Sequence, residues 1–275
     1  MEKPYVISGE FDLLGNSQKR IMQTNKLEMV RESLVEDLEA MGKNVTWVSA
    51  QDVAGGINKR VSASQLPVVT LDEVYVTSPN ARIGISRGSD DVLNDAGYMP
   101  RVGYGSIKDQ FDAVALLGPE VQLIDDVVFS GEMMSWVINE FQKRNVRVGR
   151  VVCGIAIKEG IELLDDLGIP VESVYMFDDV EDEICERDLF VAKGSGRRLS
   201  NEQGNALYFD DKNGRPERWA SIPPNSTSDF CLRSLERSLT LLRPDVLMCE
   251  VGQFYGYPVE GLAQSAIRTR LAEAR

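Results

Sequence analysis

The residues best suited to chemistry lie in one stretch, Val121-Gln-Leu-Ile-Asp125-Asp126-Val-Val128-Phe129-Ser130-Gly131-Glu132-Met133-Met134. A short apolar run leads into two adjacent carboxylates, and a Ser-Gly pair follows before a new pattern begins. From Met134 the apolar residues recur at Val137, Ile138 and Phe141, the i, i+3, i+4, i+7 spacing of a helix. The spacing predicts a strand, an acidic pair at its carboxyl end, a tight loop and a helix. Such a loop offers backbone N–H groups and a helix N-terminus to a phosphate. Two carboxylates at a strand's carboxyl end can accept hydrogen bonds from vicinal hydroxyls or sit beside a Mg2+.

This order of residues resembles the signature of the type I phosphoribosyltransferases, in which apolar residues, an acidic pair and a Thr/Ser-Gly loop follow one another. The resemblance implies that Asp125 and Asp126 hold the ribose hydroxyls of phosphoribosyl pyrophosphate (PRPP) and stand near Mg2+. It also implies that Phe129, Ser130, Gly131, Glu132 and Met133, with Val128 leading in, wrap the 5′-phosphate. Ser130 and Gly131 fit that loop well. Met133 departs from it, because the family has a hydroxyl residue there to reach the phosphate.

Two further stretches bear on the same chemistry. Arg82-Ile-Gly-Ile85 reads as a strand running into Ser86-Arg87-Gly88-Ser89-Asp90. Glycine lets backbone N–H groups approach an anion, and arginine adds a fork of donors. The arrangement resembles the family's pyrophosphate loop, which implies that Ser86, Arg87 and Gly88 face the pyrophosphate. It reads equally as an ordinary turn with a surface arginine. Farther on, Glu181 stands six positions before Arg187 in Arg187-Asp188-Leu189. That spacing resembles the purine-type members, which implies a metal contact for Glu181 and a pyrophosphate contact for Arg187, against the plain reading of a surface loop.

The elements that must position these residues follow from periodicity. A helix is expected from about Ser17 to Met41 and a strand over Asn44–Ser49, with a loop from Gly55-Gly56 to Gln65. Val74–Val76 is expected as a strand, and Gly97–Gly105, rich in Gly, Pro and aromatics, as a mobile loop. In the resembled family such a loop closes over the pyrophosphate; Arg101, Tyr104 and Lys108 each carry a suitable side chain, and no motif picks between them. Helices over Ser106–Leu117 and Glu159–Leu167 alternate with strands at Val151–Ile157 and Val171–Phe177. Beyond them come a basic glycine loop at Lys193–Arg198, a hairpin about Asp211–Gly214 joining Ala206–Phe209 to Arg218–Ile222, a helix over Ser226–Leu242, a strand over Asp245–Val251 and a helix over Val259–Arg275. Strands alternating with helices predict an α/β fold with a mainly parallel, doubly wound sheet. The chain is expected as one domain, 1–275, made of an N-terminal α/β unit (1–70), the PRPP-binding core (71–180) and a C-terminal hood with helices (181–275).

Composition narrows the class. The 275 residues are 43% hydrophobic and 27% charged, with a net charge of −13 and a pI near 4.6. A nucleic-acid binder carries a basic face, so the global balance speaks against that class, with a local basic patch left open. The chain's apolar runs are too short to span a membrane. The N-terminus has no signal-peptide pattern, and four scattered cysteines read as reduced thiols in a cytoplasmic protein. The absence of histidine removes His-based triads and the common zinc sites. Transfer of a phosphoribosyl group needs positioning and charge stabilisation more than a strong base. The resemblance therefore implies a Mg2+-dependent transferase that passes the phosphoribosyl group of PRPP to a base or amine. The same fold would also serve a non-catalytic PRPP or nucleotide sensor, or an enzyme using another phosphorylated ribose. Assembly as a homodimer stays open.

Overall fold

The computed structural model describes residues 2–13, 23–90, 94–101, 103–190, 196–200, 205–206 and 215–241. The expected strand at Asp245–Val251, the helix at Val259–Arg275, the turn at Asp211–Gly214, the start of the helix at Ser17 and residues 193–195 of the basic loop lie outside them. The chain forms two compact units, each stitched from separate stretches: residues 48–86 with 99–180, and residues 1–47 with 87–98 and 181–275. The expected division ran in consecutive stretches along the chain; the units are interleaved in it.

The unit built from 48–86 and 99–180 carries a sheet of five parallel strands. Their order across the sheet is Ala81–Arg82, Val68–Thr70, Glu120–Val128, Arg147–Ile157 and Val171–Phe177. Glu120–Val128 is central, and its stretch Val121–Asp125 is buried, as parallel strands covered on both faces are. One face packs helices Ile107–Ala115, Glu132–Gln142 and Lys158–Asp166 into a core with Leu123, Val151, Cys153, Phe111, Val137 and Phe141 at its heart. Helix Ala50–Val61 packs on the strands Arg147–Ile157 and Val171–Phe177 through the alternate residues, where Gly56 meets Val174 and Val53 meets Gly154. The architecture is α/β with a doubly wound parallel sheet.

Several elements differ from expectation, each for a local reason. Residues 50–61 are a helix, capped by Ser49, whose hydroxyl accepts from the Asp52 N–H. The two glycines that suggested a loop instead allow close packing, since a Cβ on Gly56 would stand 2.5 Å from the Val174 side chain. Val74–Val76 is no strand: the Asp72 carboxylate accepts from the backbone N–H groups of Val74 at 2.8 Å and Tyr75 at 2.5 Å, taking donors that a ladder would use. Asp95–Pro100 forms a strand where a mobile loop was expected. The helix that follows starts at Ile107, with Ser106 as its cap.

The other unit gathers strands Pro4–Ser8, Asn44–Val48 and Asp182–Cys185 into a three-stranded sheet. Helices Leu27–Ala40 and Thr227–Leu241 pack with it in a core around Tyr5, Ile7, Leu34, Leu38, Phe190 and Phe230. The expected hairpin arm at Arg218–Ile222 begins within a short helix, Pro216–Trp219, where Pro216 presets a helical φ. No helix among the described residues is long and apolar enough to cross a membrane.

Candidate functional site

The central strand continues through the acidic pair to Val128, so Asp125 and Asp126 lie inside it rather than at its end. What ends is the neighbour. Val68–Thr70 stays in register with Gln122–Ile124, and the Leu71 N–H donates to the Ile124 carbonyl at 2.9 Å. From Asp125 onward only the strand on the other side remains, pairing Asp125 with Cys153 and Val127 with Ile155. The pair therefore stands at the open carboxyl edge of the sheet, where α/β folds bind ligands.

The loop that departs beside this edge, Leu71 to Val76, brings a third carboxylate. Thr70 Oγ1 and the Asp72 backbone bond each other at 3.1 Å in both directions. Arg82 clasps the loop by donating to the carbonyls of Asp72, at 2.8 Å, and Val76. Carboxylate oxygens of Asp72 and Asp126 lie within 4.8 Å of each other. Asp72 is 4% exposed and Asp125 is 2% exposed, while Asp126 is half-buried. Burial first, and then the Asp126 charge, push the Asp72 carboxyl up to about 6, against the pull of the Tyr75 and Val74 N–H groups and Arg101. Burial, then Asp126 and then Asp72, hold the Asp125 carboxyl well above the usual range. Asp125 accepts from the Asp126 N–H at 3.1 Å through one oxygen; its buried Oδ2 has no hydrogen-bond partner. The donor set is all oxygen, the kind that Mg2+ takes. The Asp72 and Asp126 oxygens lie close enough together to share a hard divalent cation.

Besides Arg82, Arg101 brings a positive charge to this side. Its Nε donates to the Ile85 carbonyl at 2.9 Å, and a terminal nitrogen stands 3.7 Å from Glu73. Tyr104 lies flat over Gly84, where a Cβ would be 2.3 Å from the ring, and burial followed by the Glu73 charge raises its hydroxyl pKa.

The loop after the pair takes the expected form. Gly131 precedes helix Glu132–Gln142 with φ +78°, a left-handed conformation that favours glycine. Ser130 Oγ accepts from the Glu132 N–H at 3.4 Å. Phe129 and Glu132 are exposed, and Met133 is half-buried against the core.

The remaining expected residues are placed differently. Ser86, Arg87 and Gly88 lie within a strand, Ile85–Ser89, not in a loop. A partner distant in sequence explains it: Gly88 and Ser89 pair with Arg198 and Leu199. Arg87, Gly88, Glu181 and Arg187 all belong to the other unit. There Glu181 pairs with Lys43, and Arg187 pairs with Glu10 at 3.0 Å. Asp72 was missed, although Val68-Val-Thr-Leu71-Asp72-Glu73 repeats the pattern of Leu123-Ile-Asp125-Asp126, an apolar run closing on two acids. That repeat was the available signal.

The fold and site thus define an α/β protein with carboxylates and a glycine-capped helix at the open edge of a parallel sheet. No protein-family model matches the chain, and no curated protein matches it. Among solved structures it is similar to phosphoribosyltransferases. The UMP synthase of Leishmania donovani matches at 18% identity and a TM-score of 0.28, over 46% of this chain and 26% of that one. The orotate phosphoribosyltransferase from Aeropyrum pernix matches at 15% identity and 0.25, over 46% and 67%. The purine phosphoribosyltransferase from Pyrococcus horikoshii Ot3 matches at 12% and 0.32, over 50% and 87%. The chain thus spans about a quarter of the UMP synthase that it matches, and the fold assignment rests on its own strand order.

Proposed function

We propose that the protein is a phosphoribosyltransferase that passes the phosphoribosyl group of PRPP to a nitrogenous base or amine and releases pyrophosphate. The observation that carries this reading is the placement of Asp125 and Asp126 at the open sheet edge, followed directly by the left-handed Gly131 turn into a helix. Asp126, half-buried and held through one oxygen by the Val127 N–H at 2.8 Å, accepts from the ribose hydroxyls. Backbone N–H groups of the Ser130–Met133 turn meet the 5′-phosphate. Arg101 stands on the side from which a leaving pyrophosphate would need a positive charge. Bound through the carboxylates, Mg2+ would supply further charge neutralisation to the departing pyrophosphate.

The test is thermal. PRPP with Mg2+ is expected to raise the melting temperature, by about 2.7 kcal/mol of stabilisation at a hundredfold excess over Kd. Asp125→Asn with Asp126→Asn keeps side-chain volume and removes charge, and is expected to abolish the shift while leaving the fold intact. An unchanged shift in the double variant places PRPP elsewhere. A second reading, a sensor or an enzyme for a different phosphorylated ribose, is favoured by Met133 packing against the core where the resembled loop has a hydroxyl.

A further inference from the structure

Arginine side chains among the described residues are as a rule tied to an acceptor. Arg31 is held by Glu186, Arg82 by backbone carbonyls, Arg144 by Glu140, Arg150 by Glu172 and Arg237 by Asp37. Arg197, Arg215 and Arg218 make no side-chain hydrogen bond or ion pair among the described residues, and all three stand at one indole. Arg197 lays its guanidinium over the Trp219 ring, 4.5 Å from the centroid. Arg215 is the N-cap residue of the one-turn helix Pro216–Trp219, and Arg218 lies within that turn. Glu217 between them is exposed and forms no ion pair with either. The arrangement is fixed from both sides. Strand Arg197–Leu199 pairs with Gly88 and Ser89 on one edge and with Asn205 and Ala206 on the other. Buried Tyr5 donates its hydroxyl to the Ala220 carbonyl at 2.8 Å, and the Ile222 N–H donates to the Pro216 carbonyl at 3.2 Å, which fastens the Trp219 turn to the core. Stacking holds the Arg197 plane against the ring and leaves its N–H groups directed outward in that plane. Its Nε is buried without a hydrogen-bond partner. Like charges gathered about one ring repel one another unless an anion joins them.

We propose that Arg197, Arg215 and Arg218, arranged about Trp219, bind an oligophosphate group, of the kind carried by nucleoside di- and triphosphates and by inorganic polyphosphate. Such a group fits in charge and in shape. Its linked phosphates bring several negative charges to the three guanidiniums, and each planar fork takes two oxygens of one phosphate. The chain's net charge of −13 repels anions at large, so a local reversal of sign favours the multiply charged ones that it attracts most. The inference goes beyond the transferase reading and uses none of its residues. Arg197, Arg215, Arg218 and Trp219 belong to the unit of residues 1–47, 87–98 and 181–275, whereas Asp125, Asp126 and Arg101 belong to the other.

The probe is inorganic tripolyphosphate, titrated calorimetrically into the full chain in EDTA, where no divalent ion can carry it to the carboxylates of the sheet edge. The expected result is one saturable site whose affinity falls as salt is raised. Affinity should drop about tenfold or more in Arg197→Gln, and severalfold in Arg218→Gln and Arg215→Asn. Asparagine tolerates the left-handed φ of +50° at position 215, and Arg215 and Arg218 are exposed, so these two variants keep the test open if Arg197→Gln fails to fold. Arg147→Gln removes the same charge from an exposed arginine paired with Glu120 and is expected to leave affinity unchanged. No saturable binding in wild type, undiminished affinity in any folded variant of the three, or an equal loss in Arg147→Gln overturns the proposal. An oligouridylate that binds while tripolyphosphate does not also overturns it, in favour of an RNA backbone. Adenosine triphosphate binding as tightly as tripolyphosphate, or more tightly, makes a nucleotide the source, and its exclusion makes the source an inorganic chain; both outcomes support an oligophosphate site.

Discussion

Met133 packs half-buried against the core of the five-stranded unit, on the first turn of the helix that leaves the Ser130–Gly131 loop. A thioether cannot donate a hydrogen bond to an anion. Beside it Glu132 is exposed and acidic, a residue that favours the helix N-terminus in the absence of a ligand and repels a phosphate brought there. If backbone amides nevertheless hold a 5′-phosphate, Met133→Thr adds a donor and is expected to tighten ribose 5-phosphate by about 1–2 kcal/mol. Calorimetric titration of wild type and variant with ribose 5-phosphate decides it. No gain in affinity means that the loop receives something other than a 5′-phosphate, and the second reading then replaces the first. Asp125 and Asp126 were legible in the sequence because a strand and a loop flank them within a dozen positions. Asp72 was not, because its relation to Asp126 comes from strand pairing between Val68–Thr70 and Gln122–Ile124, which no local spacing records.

At the scale of elements, the loop is fixed by a close backbone approach. A Cβ on Gly160 would stand 2.3 Å from the Phe129 carbonyl and 3.1 Å from the Gly131 nitrogen, so helix Lys158–Asp166 lies directly under the turn that would meet a ligand. Gly160→Ala must move either the helix or the turn. The expected cost is about 1–3 kcal/mol of stability, with weakened ligand binding at the loop. Gly105→Ala serves as the comparison, since its Cβ would meet nothing nearer than Asp109 at 4.0 Å. Equal melting temperatures for the two variants would show that the contact is not a constraint. The same physics explains which elements the sequence hid. Helix Ala50–Val61 carries two glycines that locally weaken a helix, and only the strand beneath, at Val174, reveals why one of them is there. Strand Arg147–Ile157 was legible because burial over Val151–Ile157 makes it a continuous apolar run. Ile85–Ser89 was hidden by its glycine and by pairing partners more than a hundred positions away at Arg198 and Leu199.

At the scale of the molecule, a net charge of −13 makes self-repulsion a standing cost that falls as carboxylates protonate. Single buried carboxylates add to it in a way that can be isolated. Asp182, on the strand beside Pro4–Ser8, has its carboxyl pushed up to about 6 from an ordinary value of 3.8. Burial is the main cause, with Glu181 adding to it; the Ser221 hydroxyl, the Glu183 N–H and Lys43 pull the other way. Because the folded-state value is raised, the unfolded chain ionises first as pH rises through about 4. The folded state is then penalised progressively until about pH 6, above which the penalty is complete. At one pKa unit per ~1.4 kcal/mol, Asp182 costs up to about 3 kcal/mol at pH 7 and almost nothing near pH 3.5. Asp182→Asn keeps an acceptor for the Glu183 N–H and is expected to be more stable than wild type at pH 7, with the advantage vanishing as pH falls through 6 to 4. Urea unfolding at several pH values measures both chains under the same background repulsion. Parallel stability curves for the two would mean that Asp182 is solvated in the folded protein and that the acid-side gain in stability comes from net charge alone.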